Sequence, residues 1–448
     1  MIPPVAPTAS PYAVVAENRG GRSYLIRPPG GGEPVDLGSG RVVEGNDNVT
    51  FGHWTALVAW SPMTRSFRMI PAHGGEIIPG RLSDHIAALL DGIRDGKPRP
   101  VQLDLDITMA CVSACTFCFS ASYRLHGGSG LHLSWPALER TLRSAAGMGV
   151  RVVRFDGGGD PLVSPHFAEA VDLCRQLGLT SAVLTAGDLL RPELLLTLVR
   201  ARTYVRVSLN AATDKTRMLL HRTPRLGVTS LLRMLAELDR LRRAEHGPAP
   251  LAVMPLGGTS MIHPTNVAEV YAIAAAAKTA GLDHVSFRVV LGDRLRVAFT
   301  AEQEDNYHRQ VDRICTELVD NEFQAFFPTR SLTDTGYVPR EYFSTCLAST
   351  HRALVEVGSS PSEPALVPCG RYRGQGFSGG AKGTVFGRMT GDGGLDDVWW
   401  TPRMTSLVQQ FPGACGDCID RSANIMFNGI HEALTADRDT AFFRFADP

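Results

Sequence analysis

The segment LDITMACVSACTFCFSAS, residues 105–122, determines how the rest of this sequence is interpreted. It contains three cysteines, Cys111, Cys115 and Cys118, in the spacing C-x3-C-x2-C. Thiols grouped this closely are more typical of a metal site than of disulfides. A structural zinc site takes four ligands, whereas three thiolates can hold three corners of a [4Fe–4S] cluster and leave one iron open. The spacing alone leaves a zinc site, a cluster and plain reduced thiols as alternatives.

Composition and charge restrict the class of protein. The chain has 448 residues, with 45 Lys plus Arg and 45 Asp plus Glu. This balance predicts no nucleic-acid partner and no attraction to an anionic membrane. The sequence has no apolar run of about 18 residues, so no membrane-spanning helix is expected. The first residues, MIPPVAPTASPY, lack the pattern of a secretory signal. We therefore expect a cytoplasmic protein, in which thiols stay reduced.

Two different patterns divide the chain. Residues 1–98 are predicted to form a β-rich N-terminal extension, because strand-like runs between about 10 and 80 are separated by Gly, Pro and Asn turns. A single helix is predicted at 81–96. From 99 to 320 strands alternate with helices, which predicts parallel βα units. Residues 321–448 are predicted to form a small C-terminal α+β domain.

Six βα units are predicted in the middle region. The predicted strands are 101–107, 151–155, 181–185, 203–209, 257–263 and 284–290. The predicted helices are 134–147, 165–177, 190–201, 229–244, 266–280 and 301–319. Six units are two short of a closed eight-stranded barrel. The expected fold is therefore α/β, an open, partial (βα)6 TIM-like barrel whose active site lies at the carboxyl ends of its strands.

Polar and glycine-rich residues follow two of the predicted strands. The sequence RFDGGGDPLVSP, residues 154–165, follows the second strand, and its glycines allow a ligand to approach the backbone closely. Asp160 places a carboxylate beside that bare backbone. Ser208 and Asn210 end the fourth strand, two residues apart and on one face. All of these are expected at the same rim as the three-cysteine loop.

Taken together, residues 101–290 resemble the radical S-adenosylmethionine (SAM) superfamily. The resemblance implies that the three cysteines hold a [4Fe–4S] cluster and that SAM chelates its open iron. Gly158, Gly159, Asp160 and Pro161 are similar to the family's Gly-Gly-Glu-Pro, with Asp in place of Glu. The implied SAM contacts are Phe117 at the adenine, Gly158, Gly159 and Asp160 at the methionine amino group, Ser208 and Asn210 at the ribose, and Arg288 at the methionine carboxylate.

The remaining six cysteines fall into two classes. Cys174 and Cys315 lie singly in helical patterns and are predicted to pack in the core. The other four lie in the C-terminal third, namely Cys346, Cys369, Cys415 and Cys418. They resemble the Twitch domain, a short relative of SPASM domains, which binds one auxiliary [4Fe–4S] cluster. Pro364 stands where that pattern has Gly. A zinc ribbon is the alternative interpretation.

The reaction is predicted from the resemblance to radical diol-dehydratases and dehydrogenases of aminoglycoside pathways. We expect hydrogen abstraction from an amino sugar or aminoglycoside-like small molecule, followed by dehydration of a vicinal diol in natural-product biosynthesis. Oxidation of an alcohol to a ketone and maturation of a peptide are the alternatives, and an iron–sulfur sensor is the non-catalytic one. Candidate groups for proton transfer are Asp160, Asp214, His263 and Arg288. An external one-electron donor and a downstream reductase are the expected partners.

Overall fold

The computed structural model describes the main part of the chain from residue 98 onward. The described ranges are 98–121, 130–248, 253–289, 297–320, 322–327, 332, 346–358, 360–374, 385–414 and 424. Before residue 72 it describes the backbone of seven strands. The helix predicted at 81–96 lies outside the described residues, as do Cys415 and Cys418.

Two antiparallel sheets occupy the N-terminal region. The first contains β1 (Val15–Arg19), β2 (Ser23–Arg27) and β3 (Val35–Asp36), and the second contains β4 (Arg41–Val42), β5 (Asn48–Phe51), β6 (Trp54–Ser61) and β7 (Ser66–Pro71). The strand-like patterns read from the sequence in this region are therefore confirmed. Its predicted status as a separate extension stays a prediction.

One large sheet forms the centre of the protein. Its strands are β8 (Gln102–Asp106), β9 (Val152–Phe155), β10 (Thr180–Thr185), β11 (Tyr204–Ser208), β12 (Leu256–Ile262), β13 (His284–Val289), β14 (Gln324–Phe326), β15 (Arg352–Glu356), β16 (Ala365–Val367) and β17 (Gly387–Arg388). The order is β14-β13-β12-β11-β10-β9-β8-β15-β16-β17. Neighbours from β14 to β15 are parallel, and the β15–β16–β17 pairs are antiparallel.

Helices connect the parallel strands. They are α1 (Trp135–Gly147), α2 (Phe167–Gln176), α3 (Pro192–Arg200), α4 (Asp214–His221), α5 (Val228–His246), α6 (Val270–Thr279) and α7 (Ala301–Glu317), followed by α8 (Ala348–His351) and α9 (Pro402–Ala414). Because the strands β8 to β14 follow one another in order, right-handed crossovers place their helices on one face of the sheet. The predicted α/β partial barrel is thus confirmed.

The strand β8 shows why the two faces of the sheet differ. Its sequence QLDLD alternates, and all five residues are buried. Leu103 and Leu105 belong to the apolar core, which also contains the apolar side chains of the helices. Burial of each such side chain stabilises the fold by roughly 1.5–3 kcal/mol. Asp104 and Asp106 point to the opposite, inner face, which is consequently charged.

The C-terminal region extends the same sheet instead of forming a sheet of its own. Strand β14 pairs with β13 at one edge, and β15 pairs with β8 towards the other. Described segments on both sides of residue 320 therefore share one sheet, and the predicted boundary between two domains at that residue stays a prediction. The indole of Trp399 donates to the carbonyl of Pro98 at 3.1 Å and fixes the start of the described domain.

The two single cysteines have different surroundings. Cys174 on α2 is fully buried, as predicted, and burial raises the pKa of its thiol. The prediction for Cys315 is wrong, because this residue of α7 is exposed. The buried stripe of α7 consists of Tyr307, Gln310, Val311 and Ile314, and the next position turns towards solvent. In the described part of the chain, no helix is both long and apolar enough to cross a lipid bilayer.

Candidate active site at the carboxyl ends of the strands

The three-cysteine loop follows β8 and is fixed by the last turn of α4. The backbone N–H of Ala114 donates to the carbonyl of His221 at 3.0 Å, and that of Thr116 donates to Leu220 at 2.9 Å. The hydroxyl of Thr223 donates to the carbonyl of Val112 at 2.7 Å. The carbonyl groups of Leu220 and His221, which have no hydrogen-bond partner within α4, are thereby satisfied. The sequence reading missed α4, and with it the support of this loop.

The buried ion pair of Asp188 and Arg217 also supports the cysteine loop. Ser113, between the first two cysteines, donates its hydroxyl to Asp188 at 3.0 Å. Asp188 also pairs with Arg217 of α4 at 2.8 Å, and both side chains are almost completely buried. Removing one partner of such a buried pair costs about 3–5 kcal/mol. The position of the cysteine loop is therefore coupled to the folded core.

Beside the loop, His221 contacts one of the cysteines directly. Its Nδ1 lies 3.5 Å from Sγ of Cys115, and its Nε2 lies 3.2 Å from the amide nitrogen of Asn210. Burial, and then the charge of Arg217, lower the pKa of His221 to about 4, so the ring is neutral at physiological pH. The ring of Phe117 meets that of His221 edge-on, with 6.1 Å between centroids.

The glycine-rich turn after β9 lies against the chain that leads into the cysteine loop. Backbone N–H groups of Gly159 and Asp160 donate to the carbonyls of Thr108 and Ala110 at 3.0 and 2.9 Å. A Cβ on Gly159 would lie 1.9 Å from the carbonyl oxygen of Ala110. Gly157 has φ +126°, a conformation that L side chains rarely adopt. Bare backbone is therefore required where the two loops meet.

Asp160 holds this turn together. Its carboxylate accepts from the N–H of Leu162 at 3.0 Å, from the hydroxyl of Thr185 at 2.8 Å and from the N–H of Ala186 at 2.9 Å. Burial raises the pKa of Asp160, and these three hydrogen bonds oppose the increase. The carboxylate at this position thus joins the turn after β9 to the end of β10.

Two of the other three candidate proton-transfer residues, Asp214 and His263, also have local partners. Asp214 accepts from the N–H of Val228 at 2.6 Å and so joins α4 to the start of α5. Nδ1 of His263 lies 2.9 Å from the hydroxyl of Thr265, and burial lowers the pKa of His263. A catalytic role for Asp160, Asp214 and His263 stays a prediction.

The predicted SAM contacts lie along the same rim. Ser208 ends β11, and Arg288 lies near the end of β13, paired in register with Met261. The amide of Asn210 is occupied within the protein, because its oxygen accepts from the N–H of Met261 at 2.7 Å and its nitrogen faces His221. Their contacts with SAM stay predictions, as does that of Phe117.

A cluster of buried carboxyl groups on the inner face was missed by the sequence reading. Asp106 ends β8, Asp156 follows β9, and Glu356 ends β15 directly opposite Asp106 in register. Arg373 joins the first two, donating from Nε to Asp106 at 2.8 Å and from a terminal nitrogen to Asp156. The N–H of Gly374 donates to Glu356 at 2.6 Å. The alternation in QLDLD could have predicted this cluster, because it places the carboxylates on the face of the strand opposite the leucines.

The pKa values of the Asp106 and Asp156 carboxyl groups are shifted in opposite directions. Burial raises the pKa of Asp106 well above its usual range, and the charge of Arg373 only partly opposes it. Burial also disfavours ionisation of Asp156, but Arg373 and Arg154 outweigh it and lower its pKa, helped by a hydrogen bond from Asp106. Asp106 therefore holds a proton more readily than Asp156. The N–H of Gly158 donates to Asp106 at 3.2 Å, which places the pair next to the glycine turn.

The C-terminal cysteines that the structure describes flank the β15–β16 hairpin. Cys346 precedes β15, and Cys369 follows β16 by two residues. Both therefore lie towards the end at which β15 begins, whereas Cys111 lies beyond the end of its parallel neighbour β8. Asn424, six residues after Cys418 in sequence, has its amide nitrogen 3.7 Å from Sγ of Cys346. The charged inner face of the sheet thus lies between two groups of cysteines.

The cysteine loop suits a cluster better than a single ion. Cys111, Cys115 and Cys118 form no disulfide and are all partly exposed on one loop. Among the residues described, no three His, Cys, Asp or Glu side chains converge to hold one metal ion. In a [4Fe–4S] cluster each thiolate binds a different iron, so convergence on one point is not required. The donor set therefore fits the cluster implied by the cysteine spacing.

Comparisons with known proteins agree with this geometry. The model of the radical SAM superfamily matches residues 105–294. The PqqA peptide cyclase of Methylorubrum populi is 37% identical over 93 residues, which are 21% of this chain and 23% of that protein. The match therefore spans less than a quarter of that relative.

Solved structures of Streptococcus suis SuiB share the fold. SuiB bound to S-adenosylmethionine has a TM-score of 0.53 and 14% identity, covering 72% of this chain and 71% of that chain. SuiB bound to the precursor peptide SuiA has a TM-score of 0.52 and 14% identity, covering 72% and 70%. At this identity the likeness concerns the fold alone. Together with the matched domain, it shows that this chain carries a radical SAM domain over residues 105–294 and has the fold of a radical SAM enzyme, a family that uses a [4Fe–4S] cluster and S-adenosylmethionine.

Proposed function

We propose that this enzyme removes a hydrogen atom from an amino sugar or aminoglycoside-like substrate and dehydrates a vicinal diol. The observation that carries the proposal is the buried pair Asp106 and Asp156, bridged by Arg373, in which burial raises the pKa of Asp106 while Arg373 and Arg154 lower that of Asp156. Dehydration of a diol radical needs an acid at the leaving hydroxyl and a base at the neighbouring hydroxyl. Two carboxyl groups whose surroundings separate their pKa values suit those two roles.

The proposed cofactor ligands follow from the cysteine groups. The cluster that binds SAM is held by Cys111, Cys115 and Cys118. With SAM bound, it supplies a 5′-deoxyadenosyl radical that can remove a hydrogen atom from an unactivated carbon. An auxiliary [4Fe–4S] cluster is held by Cys346, Cys369, Cys415 and Cys418. The proposed SAM contacts are Phe117, Gly158, Gly159, Asp160, Ser208, Asn210 and Arg288.

In the proposed dehydration Asp156 and Asp106 each take part in one proton transfer. The substrate first loses a hydrogen atom from a carbon that bears a hydroxyl. Asp156 then accepts the proton of that hydroxyl, while Asp106 protonates the adjacent hydroxyl, which leaves as water. The remaining radical takes up one electron, supplied by an external one-electron donor, and one proton. The product is a deoxy ketone, a suitable substrate for a downstream reductase.

The lining of the inner face supports a hydrophilic substrate. Arg154 pairs with Asp104 at 2.5 Å, and Arg352 lies 3.5 Å from the same carboxylate. Arg206 lies near enough to Asp156 to lower its pKa. Charged and hydrogen-bonding side chains can replace the water around the hydroxyl and ammonium groups of an amino sugar. An apolar side chain would gain little from this surface.

The test is turnover of a defined panel. The reconstituted enzyme would be incubated anaerobically with SAM, a strong reductant and a series of pseudodisaccharides, and products would be weighed by mass spectrometry. Loss of one water, with 5′-deoxyadenosine formed in step, is the expected result. Loss of two hydrogen atoms would instead establish dehydrogenation to a ketone. If no amino sugar changes while 5′-deoxyadenosine still forms slowly, the proposed substrate class is wrong.

Peptide modification is a second candidate, supported by the names of two similar proteins. The relative from Methylorubrum populi is a cyclase of the peptide PqqA, and SuiB was solved with a precursor peptide. The same assay separates the candidates when synthetic peptides encoded beside this protein's gene are added to the panel. A crosslinked or shortened peptide together with unchanged amino sugars would favour this candidate.

A further inference from the structure

The contact between His221 and Cys115 points to a role for this histidine beyond holding the loop. His221 is the last residue of α4, and only 1% of it is exposed. Its two ring nitrogens face two different partners, Sγ of Cys115 at 3.5 Å and the side-chain nitrogen of Asn210 at 3.2 Å. The contact to sulfur is within hydrogen-bonding range for an N–H donor.

The partners of Asn210 determine which ring nitrogen carries the proton. The side-chain oxygen of Asn210 accepts from the backbone N–H of Met261 at 2.7 Å, and a backbone N–H can only donate. The amide nitrogen of Asn210 is therefore the end that faces His221, and it donates to Nε2. A ring nitrogen that accepts a hydrogen bond carries no proton, so the imidazole proton is on the other nitrogen. The proton consequently lies on Nδ1 and points at Cys115.

His221 supports the cysteine loop through its backbone, so its side chain can be replaced without removing that support. The carbonyl of His221 accepts from Ala114, and this bond does not depend on the side chain. The ring of Phe117 lies nearly perpendicular to the imidazole, and the charge of Arg217, which is paired with Asp188, also acts on it. Replacement of the imidazole can therefore remove the donor to sulfur while the backbone contacts of α4 remain.

We propose that His221 is a positioning residue that donates an N–H···S hydrogen bond to Cys115 and raises the reduction potential of the cluster that binds SAM. Hydrogen bonds to cluster sulfurs are a main determinant of iron–sulfur potentials, because they stabilise the more negative, reduced state. One electron from the external donor is taken up, and the proton stays on Nδ1. The inference depends on ligation by Cys115, as proposed above, but not on the substrate.

The test is a potentiometric titration monitored by EPR on the reconstituted full-length protein. The cluster in question is identified as the one whose signal changes when SAM is added. In His221→Phe we expect the equilibrium constant for its reduction to fall about tenfold, a shift of about 59 mV to more negative potential. His221→Asn, which can present an N–H near the position of Nδ1, should retain most of the wild-type potential. The exposed His308→Phe on α7 serves as the control.

The outcomes separate this inference from the proposed ligation. A wild-type protein with no SAM-sensitive signal would contradict the ligand assignment itself. A signal whose potential is the same in wild type and His221→Phe at equal iron content would overturn the role of His221, as would equal shifts in the Phe and Asn variants. If His221→Phe fails to load iron, pulsed EPR of the wild-type protein with 15N-labelled histidine decides. We expect weak coupling to a histidine nitrogen, and its absence would overturn the inference.

Discussion

Replacement of Asp106 by Asn is the most direct test of the proposed acid–base pair. Asp106 is completely buried and accepts from Arg373 at 2.8 Å and from Gly158 at 3.2 Å, and burial raises its pKa, which favours its protonated form. The amide has nearly the same shape but cannot transfer a proton. General acid–base catalysis contributes about 10²–10⁴-fold, so we expect product formation to fall by that factor, equivalent to about 3–5 kcal/mol of barrier.

The structural cost of the same replacement is small in comparison. Arg373 and Gly158 both donate to the same oxygen of Asp106, and the amide oxygen of Asn can take its place. The largest loss is therefore the charge assistance of one hydrogen bond, so the cost is at most about 1.5–3 kcal/mol. Removing a carboxyl that burial disfavours offsets part of this cost. Thermal unfolding should therefore show a modest change, and the exposed Asp172→Asn on α2 should show none.

The assay compares three rates in wild type, Asp106→Asn and Asp172→Asn, namely product, 5′-deoxyadenosine and deuterium transfer from labelled substrate. Deuterium should still reach 5′-deoxyadenosine in Asp106→Asn, since hydrogen abstraction precedes proton transfer. Because the acid acts only when protonated, product formation in the wild type should decline as pH rises through the raised pKa of Asp106, and the variant should lack this decline. Product formation within a factor of about two of wild type, with an unchanged pH profile, would refute the reasoning.

Two further predictions concern the cofactor site. Simultaneous replacement of Cys111, Cys115 and Cys118 by Ala should lower the iron content of the reconstituted protein to about half and abolish SAM cleavage; zinc in place of iron would contradict the cluster assignment. Gly159→Ala places a Cβ 1.9 Å from a backbone carbonyl, so we expect SAM binding to weaken by about 1–3 kcal/mol, or about 5- to 150-fold, in equilibrium dialysis. Gly147→Ala, where a Cβ meets nothing within 4 Å, should bind normally.

The sequence predicted the barrel because its strands and helices have clear and different periods. All six predicted strands are present, and the third and fifth begin within one residue of their predicted starts. The extension of the sheet was not predictable in the same way. Strand β14 has three residues, and β15 pairs with β8 across about 250 residues of chain, 352 against 102. Local patterns do not contain such pairings, because they depend on which edge of the sheet remains open.

The sequence predicted those parts of the site whose residues are neighbours in the chain. The cysteine loop and the glycine turn are each contiguous, so their residues could be recognised together. The pair of Asp106 and Asp156 is assembled from two strands and completed by Arg373, which lies more than two hundred residues further along the chain. His221 gains its role only because α4 ends beside Cys115. Residues that come together only through tertiary packing are far apart in the sequence, so no local pattern identifies them as one site.

The paired carboxyl groups of Asp106 and Asp156 are the reason for proposing dehydration rather than simple oxidation. Oxidation of an alcohol radical to a ketone needs a base alone, and the ionised Asp156 would suffice. It would give no role to the second carboxyl, Asp106, which lies completely buried beside it and whose pKa is raised by that burial. The guanidinium of Arg373 bridges the carboxyl groups of Asp106 and Asp156 and so keeps them side by side. Arg373 lies four residues after Cys369 in the sequence. A proton donor beside a proton acceptor is what the proposed loss of water demands, and the one-electron reduction that follows draws on the external donor.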